Sequence, residues 1–170
     1  MRANDSVSTG IALSWLVLRA MLLAVVVIGA AVLSPLIGWL IAAVALGVIG
    51  AALPQSFAAW GSVACLLIGM MIAGPDLGRT MLAVFVVHAV HVLTTLNLVV
   101  PVGARVVVGA LRPTLIRFLV VQAIAQPLTL LVMLGATAGV AVIPWAVVAG
   151  AAALLALVFL LISSMKAAED

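Results

Sequence analysis

Charge is nearly missing from this chain: Asp, Glu, Lys and Arg make up 6% of 170 residues, against about a quarter in soluble domains. The four acids, Asp5, Asp76, Glu169 and Asp170, all fall outside the long apolar runs. No carboxylate pair for acid–base chemistry, and no carboxylate-supported proton relay, can be assembled within those runs. Cysteine is almost absent too. Cys65 stands alone inside an apolar run, so neither an intramolecular disulfide, a redox pair nor a cysteine metal cluster is available, and a packed, inert thiol is expected. Seven basic residues give a net charge of +3, too few and too dispersed for the basic stripe that binds nucleic acid. Nucleophile–base pairs and phosphate-binding loops are also missing, so no enzyme, cofactor or metal site is expected.

What is present is apolar surface. Hydrophobic residues make up 68% of the chain and the mean hydropathy is +1.54, well above the composition of soluble domains. A bilayer-spanning helix needs about 20 apolar residues. The sequence predicts spans near 12 to 33, 36 to 53, 57 to 73, 80 to 100, 114 to 136 and 141 to 163. Gly, Pro and polar residues separate them at Ser34-Pro35, Pro54-Gln55-Ser56, Gly74-Pro75-Asp76, Pro101 to Arg112, and Thr137 to Val140. The expected fold is an all-α, polytopic membrane helix bundle of about six transmembrane helices, forming one domain over residues 1 to 170.

Orientation follows from the basic residues, which are enriched in short cytoplasmic loops. With an even number of spans, Arg2, Arg105, Arg112, Arg117 and Lys166 share one side, while the other side has Arg79 offset by Asp76. Both termini and the long loop are therefore expected in the cytoplasm of a cell-membrane protein. Trp39 and Trp145 near outer turns, and Trp15 and Trp60 near inner ends, agree with that register. Arg19 lies close enough to an inner end to snorkel to the headgroups; the alternative is a buried ion pair. A cleaved leader over residues 1 to 31 is a rival reading of the first span, although the apolar stretch from Ile11 is long for one.

Small residues recur every fourth position at Ala43, Gly47 and Ala51, and again at Ala149 and Ala153, a spacing that lets helices approach closely. The first and fifth spans each carry an arginine followed by aliphatics near the inner end, Arg19 and Arg117. That match goes no further and implies no repeat.

The polar residues concentrate in one hairpin. At 100° per residue Thr80, His88, His91 and Thr95 fall in one sector of the fourth span, interrupted by Val84, while Asn97 points away toward the interface. Gln122, Gln126 and Thr129 share a sector of the fifth. The two stripes are expected to face each other, with His91 and Gln126 at matching depth. Pro127 cannot donate to the carbonyl of Ala123 and leaves a free acceptor there. Desolvation explains the pairing, since an unpartnered amide or imidazole in lipid costs several kcal/mol. Three roles are open for His88, His91, Thr95, Gln122 and Gln126: fixing helix register, lining a polar path, or ligation of haem or metal by the histidines. The third needs a second copy, because the chain holds only two histidines.

Between the spans, Arg105, Gly109 and Arg112 recur at i, i+4 and i+7, which predicts a short interfacial helix with Pro113 in the first turn of the fifth helix. Arg105, Arg112 and Arg117 are the expected lipid or partner contacts, each worth about 1 kcal/mol near an anionic leaflet.

The string His88-x-x-His91, Pro101, Arg105, Arg112-Pro113, Arg117-Phe118, Gln122 and Gln126 resembles small uncharacterised integral membrane proteins of high-GC Gram-positive bacteria. Some of these are encoded beside MoxR-type AAA+ ATPases and von Willebrand factor A-like proteins. Over about 45 residues the resemblance implies an accessory membrane component and assigns no active site; the lipid bilayer is the expected partner, with a protein partner in the membrane or at the cytoplasmic loop as a further possibility. The expected function is a non-enzymatic accessory or anchoring subunit; the alternative is a small transporter or channel whose path passes His88, His91, Gln122 and Gln126.

Overall fold

A computed structural model describes residues 12–74 and 76–137. The chain divides into two compact units, Met1–Leu130 and Leu131–Asp170, and the architecture described is that of the first. Of the second unit only the end of the fifth helix is described. The expected sixth span at 141 to 163, with Trp145, Ala149 and Ala153, lies outside the described residues, as do Arg2 and Lys166.

Helix accounts for 83% of the described residues. The helices are α1 (Trp15–Leu33), α2 (Ile37–Ala52), α3 (Ala58–Ala73), α4 (Leu77–Val99) and α5 (Val108–Thr137). Two short strands, β1 (Ala12–Ser14) and β2 (Arg105–Val107), pair antiparallel with Ala12 opposite Val107 and Ser14 opposite Arg105. Among the described residues three helices are long and apolar enough to cross a membrane, Trp15–Leu33, Leu77–Val99 and the Val108–Gly135 stretch of α5; α2 and α3 are shorter apolar helices.

The core belongs to α1 through α4. On α1 the buried positions Leu18, Leu22, Val26, Ala30 and Leu33 recur every three or four residues, the period that keeps one face inward. Ala83, Val86, Val90 and Leu93 do the same on α4. Ala43 and Ala51 of α2 are buried as well, and a Cβ on Gly47 between them would lie 2.8 Å from Val26 Cγ1. Gly47 of the small-residue stripe therefore packs against α1. Gly50, one residue before Ala51, meets backbone: an added Cβ would stand 2.6 Å from the amide nitrogen of Ala59. Cys65 is a buried free thiol in the same core.

The helix ends follow local chemistry. Asp76 caps α4 by accepting from the amide of Arg79 at 2.8 Å, which stabilises exposed N–H groups of the first turn. It starts α4 ahead of the expected residue 80. On α1, Arg19 lies over the Trp15 ring at 4.6 Å and reaches the Ala52 carbonyl at 3.4 Å.

The interfacial helix expected between the fourth and fifth spans is not found, and this corrects the sequence reading. Pro101 to Ala104 form a turn closed by Ala104 N–H donating to the Pro101 carbonyl at 3.1 Å, with Gly103 at φ +84°. A left-handed third position is the type II signature, which glycine adopts without steric cost. The chain leaves the turn extended, and the β-branched Val106 and Val107 suit a strand. Arg105 thus sits in β2, whereas Gly109 and Arg112 belong to α5. Since α5 already begins at Val108, Pro113 lies inside it rather than in its first turn.

Candidate polar site between α4 and α5

None of the buried core residues comes from α5. It meets α4 through long side chains instead. Phe118, Gln122 and Gln126 recur every fourth residue and so share a face. Phe118 stacks on the His88 ring with centroids 4.7 Å apart and meets Phe85 edge-on at 5.6 Å. Gln122, 8% exposed, places Nε2 3.2 Å from His88 Nδ1.

The direction of this network is set by one carbonyl. Gln126 Nε2 lies 3.1 Å from the Met81 backbone oxygen and 2.9 Å from Gln122 Oε1. A carbonyl oxygen can only accept, so the Gln126 amide must turn its nitrogen toward Met81. Gln122 then accepts at Oε1 and donates from Nε2, which makes His88 Nδ1 an acceptor and leaves its proton on Nε2. His88, Gln122 and Gln126 form one directional clasp.

The remaining expected members lie elsewhere. His91 does not meet Gln126; its ring sits 5.5 Å from that of Trp60 on α3. The matching depth expected for His91 and Gln126 is corrected, because the antiparallel register puts Gln126 beside Met81, nearly three turns of α4 from His91. Thr95 donates to the His91 carbonyl of its own helix at 2.9 Å, and Thr129 donates to Ala125 at 2.8 Å. Asn97 is not at the surface but buried, 4% exposed, with Nδ2 unbonded. The Gln126 Oε1 atom is also buried without a partner.

Two clefts flank the histidines. One, of about 550 Å³, is apolar and runs between α3 and α4 past Trp60, Leu67, Met70, Val84 and Val87. The other, of about 290 Å³, lies between α4 and α5 and is walled by Thr95, Thr114, Arg117 and Phe118. His88 and His91 border both. Arg117, an expected lipid or partner contact, is exposed and lines this cleft beside the histidines. Its neighbour in the loop, Arg105, is exposed on β2, and Arg112 is exposed in an early turn of α5. Phe118 and Trp60 went unnoticed in the sequence as partners of the histidines. The spacing of Phe118, one turn before Gln122, was the signal that could have found it.

Among the described residues no group of three or more His, Cys, Asp or Glu could hold a metal ion. No family model, curated protein or solved structure matches this chain.

Proposed function

We propose that this chain is a multi-pass integral membrane protein of the cell membrane that acts as a non-enzymatic accessory or anchoring subunit of a membrane complex, with both termini in the cytoplasm. The observation that carries this reading is α5. It gives nothing to the four-helix core, and Leu115, Ile116, Leu119, Val120, Ile124 and Leu128 point outward along it. In water such a surface is unstable; in a bilayer it faces lipid or a partner helix. The His88–Gln122–Gln126 clasp supports the same reading, because it is spent on holding α5 to α4.

The β1–β2 pair supports an even number of crossings. β1 precedes α1 and β2 follows α4, and strands that pair lie on one side of a membrane. Either two or four of the intervening helices cross. At 1.5 Å per residue the sixteen residues of α2 and α3 each cover about 24 Å, close to the roughly 30 Å hydrocarbon core. Four crossings here, α5, and the apolar run at 141 to 163 give six spans.

Affinity purification of the tagged protein in mild detergent tests the accessory role. A stoichiometric co-purifying protein is expected; recovery of the chain alone at every expression level would defeat the proposal.

A transporter or channel is the second reading, favoured by the two histidines that wall both clefts. It requires that flux in reconstituted vesicles fall when His88, His91, Gln122 and Gln126 are all made apolar.

A further inference from the structure

We infer that the cleft between α4 and α5 is a binding site for a phosphate group, with Arg117 as its charged ligand. The inference goes beyond the accessory role and draws on the membrane reading only for the source of the phosphate.

Arg117 stands in the third turn of α5 and lines the cleft with Thr114 of its own helix and His88, His91 and Thr95 of α4. Its charge has no counter-ion among the described residues. Asp76 is the one acid among the described residues, and it caps the far end of α4, twelve residues before His88, roughly 18 Å along the helix axis. Arg117 is exposed, and a charge carried on a membrane span is costly unless paired, hydrogen-bonded or brought to the headgroups. Among the described residues Arg117 makes no hydrogen bond or ion pair, which leaves its guanidinium open to a bound anion.

The other groups at the cleft are donors suited to an anion. The Thr114 hydroxyl makes no hydrogen bond among the described residues. The His88 proton sits on Nε2, because Nδ1 accepts from Gln122. Thr95 donates to the His91 carbonyl and can turn its hydroxyl toward a ligand. Arg117 and Thr114 come from α5 and His88 and Thr95 from α4, so the cleft is lined by donor-bearing side chains of two helices, and guanidinium binds phosphate in a bidentate manner.

Phosphate can be free or esterified. The apolar cleft of about 550 Å³ shares both histidines with this one and offers an attached hydrocarbon chain a place to lie. A phospholipid headgroup is therefore the favoured source.

The test uses the full-length protein stripped of lipid in detergent. Native mass spectrometry measures retention of phosphatidylglycerol and of diacylglycerol with the same chains, and phosphorus NMR measures binding of inorganic phosphate. Phosphatidylglycerol is expected to be retained and diacylglycerol lost. Arg117→Gln should weaken retention about tenfold, the scale of one charge-assisted contact; Thr114→Val should weaken it less, and Arg112→Gln not at all. Inorganic phosphate binding that is sensitive to Arg117→Gln, without lipid retention, keeps the phosphate site and overturns the lipid source. Equal retention by wild type and Arg117→Gln, equal retention of diacylglycerol, or no binding of any phosphate species overturns the site. If Arg117→Gln is not monodisperse, Arg117→Lys and Thr114→Val carry the comparison. Alkaline extraction of membranes tests the membrane reading separately, so failure of one is distinct from failure of the other.

Discussion

The side-chain amide of Gln122 lies 3.2 Å from Nδ1 of His88 across 34 residues of sequence. This contact and the Gln126 bond to Met81 span two helices whose backbones share no core. Lipid tails are as apolar as leucine, so in a bilayer helices associate through packing and interhelical hydrogen bonds rather than through burial. For α5 the packing share is small, and the clasp matters correspondingly more.

His88→Leu and Gln122→Leu should each loosen α5 from α4, and a double-mutant cycle should give a coupling of about 0.6 kcal/mol, with about 1.7 kcal/mol as the upper end for such pairs. Detergent-denaturation midpoints measure it. Strict additivity of the two changes would show that the bond contributes nothing.

Gly50→Ala is expected to destabilise the bundle by about 1–3 kcal/mol, the usual cost of overpacking, since the new methyl would meet Ala59 backbone at 2.6 Å. Gly38→Ala is the control, for nothing lies within 4 Å of its added Cβ. Thermal unfolding of the two variants in one detergent should separate them by several degrees.

Asn97→Leu should leave stability unchanged or raise it. The buried Nδ2 lacks a partner, and removing an unsatisfied polar group of similar shape relieves a penalty of about 1–3 kcal/mol. A lowered melting temperature would mean that the amide has a partner outside the described residues.

Leu13→Cys combined with Val106→Cys, in a Cys65→Ala background, should form a disulfide under mild oxidation, because the two residues are opposed in the strand pair. A mobility shift on a non-reducing gel reports it. Failure to cross-link would remove the support for an even number of crossings.

Five helices lie over five of the expected spans because long apolar runs bounded by turn residues leave little choice. Sequence periodicity also brought His88, Gln122 and Gln126 to facing stripes. Register was harder. Depth along a helix depends on where it starts, and Val108 begins α5 before the expected residue 114 because the Pro101–Ala104 turn and β2 consume the loop. An arginine placed at the end of a helix thereby becomes an arginine in its third turn, beside two histidines. Asn97 was assigned outward from angle alone, whereas the packing of α4 in the four-helix core decides its burial. The interfacial helix failed for a similar reason: spacing at i, i+4 and i+7 holds only if the backbone is helical, and Gly103 at positive φ leads into strand.

The pairing of Ser14 with Arg105 also sets an order of events during synthesis. Roughly ninety residues separate the partners, and at about 5–20 residues per second the ribosome needs roughly 5–20 s to deliver the second strand after the first. Throughout that interval β1 is without its partner strand. Closure then joins the beginning of the bundle to the start of α5, and it can occur only after the first four helices have been made.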